Sequence, residues 1–298
     1  MRKQTCVAPA CLILLLTSVV RADFPDRPAA QALNGNIQFF DVSLQGDGAG
    51  QTMKLWLYLP AGTHAAKSLP CVFVAPAGSI LITGMTLGDG DRAEHLPYVL
   101  AGFAVVAYEL DGAMVGRTNG AVWAAVPKFM AAHGGIDNEH TAVDYVLARV
   151  PEVDPRRLYA AGHSSAATVA LDVTAADPRI KACCAYAPVP NLRNRLKPTT
   201  ITVLDRKVPG FDSFIDAISP VQQIEQLKTK PVMLFTADDD ANVPTQSVKD
   251  FAEALQQAGA KKVKLVTVPT GGHHDSMITD GIPAGISFLL GVDSKIRK

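Results

Sequence analysis

Residues 158–170, Leu-Tyr-Ala-Ala-Gly-His-Ser-Ser-Ala-Ala-Thr-Val-Ala, constrain the fold of this 298-residue chain more than any other stretch. Leu158 to Ala161 form a short apolar run with the character of a buried strand, and small helix-compatible residues follow Ala166. Between them, Gly162-His163-Ser164-Ser165-Ala166 makes a sharp strand-to-helix turn that presents the Ser164 hydroxyl to a cleft. Such a turn strains the serine backbone and brings the helix close against the strand, so its neighbours must be small. Gly162 and Ala166 meet that need. The pattern asks for glycine where Ala166 stands, so this chain carries one methyl group more than the ideal.

A Gly-x-Ser-x-Ala match alone arises easily by chance, and the rest of the chain decides what it means. After Ser164 an apolar strand, Pro231 to Phe235, runs to Asp238-Asp239-Asp240-Ala-Asn-Val243-Pro244. A second strand, Val263 to Val268, runs to Gly271-Gly272-His273-His274-Asp275. Acid and base thus follow the serine in the order Ser, Asp, His, each just past the end of a strand, where a parallel sheet places its site.

With these motifs in hand, residues 37–291 resemble the α/β-hydrolase superfamily. They look most like the serine hydrolases grouped with the prolyl oligopeptidase (S9) catalytic domain and the dienelactone hydrolases. The resemblance implies an α/β fold, a mostly parallel sheet of about eight strands with helices on both faces. It also implies roles: Ser164 as nucleophile, His273 as general base and then acid, and Asp240 as the group that orients the imidazole. Three adjacent acids more often mark a solvated loop, but Asp240 alone stands before Ala-Asn-Val-Pro, similar to the family's Asp-x-x-Val-Pro acid, and is favoured over Asp239. His273 follows the Gly-Gly step and is favoured over His274. His163 reads as a residue supporting the site or touching substrate. His64, His95, His133 and His140 read as ordinary polar residues.

The loop after the strand at Cys71 to Ala75 carries Pro76-Ala77-Gly78-Ser79. In this fold that loop supplies one N–H of the oxyanion hole and the residue after the nucleophile supplies the other. Gly78 or its predecessor Ala77 is the expected first donor, with Ser79 the remaining choice, and Ser165 is the second donor. No cofactor is expected. The histidine and aspartate clusters are explained without a metal.

The first residues read as an address rather than as part of the fold. Arg2 and Lys3, an apolar run from Cys6 to Val20, and the small-residue step Val20-Arg21-Ala22 predict a signal peptide over 1–22, too short for a comfortable membrane span. An uncleaved anchor is the alternative. Cleavage removes three basic residues and no acid, so the overall balance of 28 against 28 becomes 25 against 28, a charge near −3. No basic run exists, which argues against a nucleic-acid partner. Residues 23–298, with 48% hydrophobic residues across the whole chain, suit one α/β-hydrolase domain that is secreted or periplasmic and has no stable membrane insertion. Of five cysteines, Cys71, Cys183 and Cys184 remain, all expected to be buried, with a disulfide from Cys71 conceivable in an oxidising compartment.

Elsewhere, residues 37–44 and 52–59 read as an opening antiparallel hairpin around the turn Gly46 to Gly50. Residues 79–95 read as a long polar connection and Gly112 to Gly135 as an inserted segment bordering the cleft, with Trp123 in the core. Asp137 to Val150 reads as a helix capped by Asp137 or Asn138. Residues 188–228 read as a cap or specificity region. The expected function is a serine esterase acting on small-molecule or sugar-linked esters. An S9-type peptidase or acyl-aminoacyl hydrolase is the enzymatic alternative, weakened because those enzymes commonly carry a β-propeller for which this chain has no room. A non-catalytic binding protein on the same fold is the alternative of another class.

Overall fold

The computed structural model describes residues 24–33, 37–45 and 52–297. The expected signal peptide and the turn at 46–50 lie outside the described residues. Nine strands form one sheet: β1 (Gln31–Leu33), β2 (Ile37–Gln45), β3 (Thr52–Leu59), β4 (Leu69–Val74), β5 (Ala104–Tyr108), β6 (Val153–His163), β7 (Ile180–Tyr186), β8 (Val232–Ala237) and β9 (Val263–Val268). Their order is β1-β2-β3-β5-β4-β6-β7-β8-β9. β1, β2, β3 and β5 pair antiparallel, and the six strands from β4 to β9 pair parallel. This is the α/β-hydrolase fold. The ninth strand beyond the expected eight is the three-residue β1 at the edge, too short to leave a pattern in the sequence.

The central strands are apolar on both faces because helices cover both faces. In β4, Cys71 and Phe73 enter one core, and Val72 and Val74 enter the other. In β6, Leu158 and Ala160 alternate with Tyr159 and Ala161 in the same way. One face is covered by α2 (Asn119–Ala131), α3 (Ile136–Arg149), α4 (Ser165–Ala176), α5 (Pro198–Lys207), α6 (Phe211–Ala217), α7 (Ile224–Leu227) and α8 (Thr245–Gln257). The other is covered by α9 (Ile282–Ile296) and by α1 (Arg92–Leu100). Cys71, Cys183 and Cys184 are buried free thiols distributed between these cores, and no disulfide joins them.

A buried ion pair ties β6 to the last helix. Arg157 Nε and Nη2 donate to the two carboxylate oxygens of Asp293 at 2.6 and 2.9 Å, and the Tyr159 hydroxyl donates to the same carboxylate at 3.0 Å. Burial alone would raise the Asp293 carboxyl, but the Arg157 guanidinium holds it below the usual carboxylate range.

Three local expectations change. The connection over 79–95 does not stay irregular: it runs through a single turn at Asp89–Asp91 into α1, which the internal Pro97 and a weak apolar pattern concealed. His95 is therefore no ordinary polar residue. It is 1% exposed, packs against the rings of Trp56 and Tyr58, and is pushed down to about 3 by burial and then by Arg92. The cap of α3 is Gly135, at φ +97°, and not Asp137 or Asn138. Asn138 is buried instead, and its carboxamide oxygen accepts from the Asp111 N–H at 3.1 Å.

Candidate active site

β6 ends at His163, and α4 begins at Ser165. The residue between them, Ser164, sits at φ +55°, ψ −118°, a conformation that costs a non-glycine residue about 1–3 kcal/mol and persists only where surroundings enforce it. Its N–H donates to the Tyr186 carbonyl at the end of β7 at 2.8 Å, and its own carbonyl accepts from Ala167 at 3.1 Å. Gly162 makes the turn feasible. A Cβ there would lie 2.3 Å from the Ala166 carbonyl oxygen, so no side chain fits where strand and helix cross. Ala166 itself is buried and belongs to the core on that face of the sheet.

The three adjacent aspartates after β8 take three different partners. Asp238 pairs with Lys249 on α8 at 2.9 Å. Asp239 accepts the N–H groups of Gly271 and Gly272 at 3.1 and 2.8 Å, which ties the loop after β9 to the loop after β8. Asp240 accepts from His273 Nδ1 at 2.7 Å and from the N–H groups of Asn242 and Val243 at 2.8 and 2.9 Å. Its side chain is 1% exposed, against 15% for His273. Positive φ at Gly271 (+109°) and Gly272 (+60°) bends the chain so that His273, and not His274, turns inward. His274 is exposed and contacts Asp275. Burial lowers the His273 imidazole below its ordinary value; Asp240 opposes that shift, and His163 and Arg195 add to it.

His163 links the elbow to this pair. Its ring lies against that of His273 in a tilted contact with centroids 4.5 Å apart, and its Nε2 lies 2.9 Å from the His273 carbonyl oxygen. Among the described residues no hydrogen bond joins the Ser164 hydroxyl to His273; the two are neighbours through His163. Catalytic hydrogen bonds commonly tighten only when substrate is bound.

The loop after β4 approaches the start of α4. Gly78, at φ +95°, and Ser79 both donate their N–H groups to the Ser165 hydroxyl at 3.1 Å. The Gly78 N–H is thereby engaged. Ala77 N–H has no partner among the described residues, and Ser165 N–H, first in its helix, has no intrahelical acceptor. Two cavities border the loops that carry these residues. One, of about 350 Å³, lies between the connection after β7 and α8, lined by Val189, Asn191, Arg195, Val243, Pro244 and Phe251. The other, of about 290 Å³, is lined by Gly78, Ser79, Gly84, Met85 and Met114. The 188–228 region carries α5 to α7 and is braced by Arg193, which pairs with Asp212 and Asp216. Trp123, on α2, packs partly buried against the core.

Among the described residues, ligand-bearing side chains converge as a metal would need at Glu139, His140 and Asp177, away from this site. There the Asp177 carboxylate is already taken by Arg179 on both oxygens.

The sequence pattern of the prolyl oligopeptidase family matches residues 92–283, which spans α1, the elbow and both loops bearing Asp240 and His273. The chain belongs to that family. Solved structures share its fold at low identity. An acetyl xylan esterase from Paenibacillus sp. R4 is 16% identical with a TM-score of 0.64, over 88% of this chain and 87% of that one. A thermophilic esterase from the planctomycete Thermogutta terrifontis is 17% identical with a TM-score of 0.62, over 90% and 96%. Dipeptidyl peptidase 4 from Porphyromonas gingivalis is 16% identical with a TM-score of 0.64, over 86% of this chain but 36% of that one. No curated protein matches the chain in sequence.

Proposed function

We propose that this protein is a serine hydrolase that cleaves carboxylic esters through an acyl-enzyme on Ser164. The observation that carries the reading is the Asp240–His273 hydrogen bond set beside a serine held at positive φ. Asp240 accepts from Nδ1, so the His273 proton sits on Nδ1 and the lone pair of Nε2 is free to take a proton. A serine hydroxyl is a weak nucleophile until a base removes its proton as it attacks. His273 takes that proton as Oγ bonds to the ester carbon, then delivers it to the departing alcohol. Water, activated by the same imidazole, then releases the acid and restores Ser164. The carbonyl oxygen becomes negative in each tetrahedral intermediate, and unengaged N–H groups stabilise it there. Ser165 N–H and Ala77 N–H are the pair assigned to this task. Gly78 instead acts with Ser79 to pin the loop to the Ser165 hydroxyl.

The ester reading is supported by the esterase structures, which align with this chain over most of their own length. The peptidase reading rests on the family, whose dipeptidyl peptidase neighbour is aligned over about a third of its length. Small or sugar-linked acyl esters are the assigned substrates. The basic start and apolar run of residues 1–22 support export, and among the described residues no helix is long and apolar enough to cross a membrane. The discriminating assay sets p-nitrophenyl acetate and acetylated xylan against acyl-alanyl and X-Pro p-nitroanilides. Ester turnover that exceeds amide turnover and disappears in Ser164→Ala supports the reading. Preferential amide turnover moves the protein to the peptidase class.

A further inference from the structure

His163 occupies the position before the proposed nucleophile, which this turn leaves free to vary, yet it is 5% exposed and has a defined partner on each side. Its Nε2 faces the His273 carbonyl oxygen at 2.9 Å, and because a carbonyl only accepts, Nε2 carries the hydrogen and donates. Its Nδ1 lies 3.5 Å from a carboxylate oxygen of Glu94, on α1, and because Nε2 already carries a hydrogen this contact is attractive when Nδ1 is protonated as well. The Glu94 side chain is itself 13% exposed, so little water competes for the contact. The face of the ring lies on His273 at 4.5 Å with the planes inclined by 42°. His274 meets the same ring edge-on at 6.0 Å.

We propose that His163, steadied by Glu94, is a positioning residue for His273. It clamps the backbone and the ring face of the base, so that the imidazole stays aligned between Asp240 and Ser164. The inference rests on the proposed role of His273. Its physical content is that β6 delivers two consecutive residues to one task, Ser164 to react and His163 to hold the group that activates it. The loop bearing His273 is bent by two glycines, and Asp239 secures only the N–H groups of those glycines. The bond from His163 is the one that reaches the backbone of His273 itself from across the site.

The titratable and charged groups that act on His273 are Asp240 from the loop after β8, His163 from β6 and Arg195 from the connection after β7. Asp240 raises the proton affinity of the ring, while His163 and Arg195 lower it. Removing His163 while keeping a ring in its place should therefore let His273 bind a proton at higher pH. A role confined to packing would not move that titration.

The test uses His163→Phe, His163→Gln and Glu94→Gln in the full chain. The His273 titration is followed by NMR of 13C-labelled histidine in a Ser164→Ala background, and kcat and KM for p-nitrophenyl acetate are followed against pH in the active background. His163→Phe should lower kcat on the order of tenfold with little change in KM, because misaligned catalytic groups lose rate before they lose binding. The His273 midpoint and the acid limb of the rate profile should both move to higher pH. His163→Gln, which can still donate to the His273 carbonyl, should recover part of the lost kcat. A folded His163→Phe with unchanged kcat and an unmoved midpoint overturns the proposal. If that variant does not fold, Glu94→Gln decides in its place: a few-fold loss of kcat supports the clamp, and wild-type kcat with an unmoved limb overturns it. A shifted midpoint in a protein that turns over no ester would leave the clamp standing and remove the esterase reading. Ser164-dependent turnover with an unmoved midpoint and unchanged kcat would remove the clamp alone.

Discussion

Two buried aspartates hold proton-bearing side chains at different points along β6, and the difference between them lies in which side chain each one holds. Asp293 grips Arg157 within the strand at 2.6 and 2.9 Å, and Asp240 grips His273, whose ring rests on His163 at the strand's end. Both carboxylates are almost fully enclosed, at 3% and 1% exposure. Both join segments far apart in sequence. Arginine does not release its proton in a protein, so the first pair is a permanent staple between sheet and α9. Histidine titrates near neutrality, so the second pair can exchange a proton with whatever stands on its free side. Under the proposed function, one kind of buried acid serves stability at one place and chemistry at the other. The strained serine, at φ +55°, directly follows His163, whose ring contacts that of His273.

The comparison breaks most sharply at the reacting end. Ser164→Ala should abolish ester turnover, by on the order of 10⁶ in kcat, while leaving the thermal unfolding curve close to wild type. Asp240→Asn keeps the shape of the site but removes the acceptor that fixes the His273 tautomer. It should cost about 10⁴ in kcat, again with a small stability change. The staple should behave in the opposite sense. Asp293→Ala leaves Arg157 charged and buried without its carboxylate, holding only the Ser68 carbonyl at 3.0 Å, which should destabilise the fold by about 3–5 kcal/mol in denaturant titration. The activity of the molecules that remain folded should stay near wild type. A large kcat loss in folded Asp293→Ala, or a large stability loss in Asp240→Asn, would erase the distinction.

The smallest expected effect concerns pH. Burial holds the His273 imidazole below its ordinary 6.5, so the ring stays neutral, and able to accept a proton, at pH values where a solvent-exposed histidine is already protonated. The acid limb of kcat/KM should accordingly fall below 6.5, and it should move to higher pH when a neighbour that lowers the imidazole is removed. An acid limb above the ordinary imidazole value would show that Asp240 outweighs burial.

Much of this architecture was legible in the chain because strand ends and motif residues coincide. The apolar runs at 158–161, 231–235 and 263–268 mark β6, β8 and β9, and the residues just past them lie together at one edge of the sheet. What was hidden was hidden for physical reasons. α1 carries Pro97 and follows a polar, glycine-rich approach, so no helical period announces it, and Glu94 on that helix has no sequence signature linking it to His163. The partners of Asp238 and Asp239 also depend on α8 and the Gly271–Gly272 bend, which only the folded chain brings near. Asn138 looked like a cap because its residue type favours one, but Gly135 at positive φ starts the helix earlier and frees Asn138 to bond Asp111. At the loop after β4, sequence left the choice among Ala77, Gly78 and Ser79 open. Only the positions of the two N–H groups on the Ser165 hydroxyl separate them.

The central claim is that Ser164 is an activated nucleophile. The most direct measurement is peptide mapping by mass spectrometry after reaction with a fluorophosphonate, on wild type and on Ser164→Ala. The account expects a single adduct on the peptide containing Ser164, formed faster as pH rises through the His273 titration and absent from the variant. A folded wild type that takes no label, or a variant that still carries one, would contradict it.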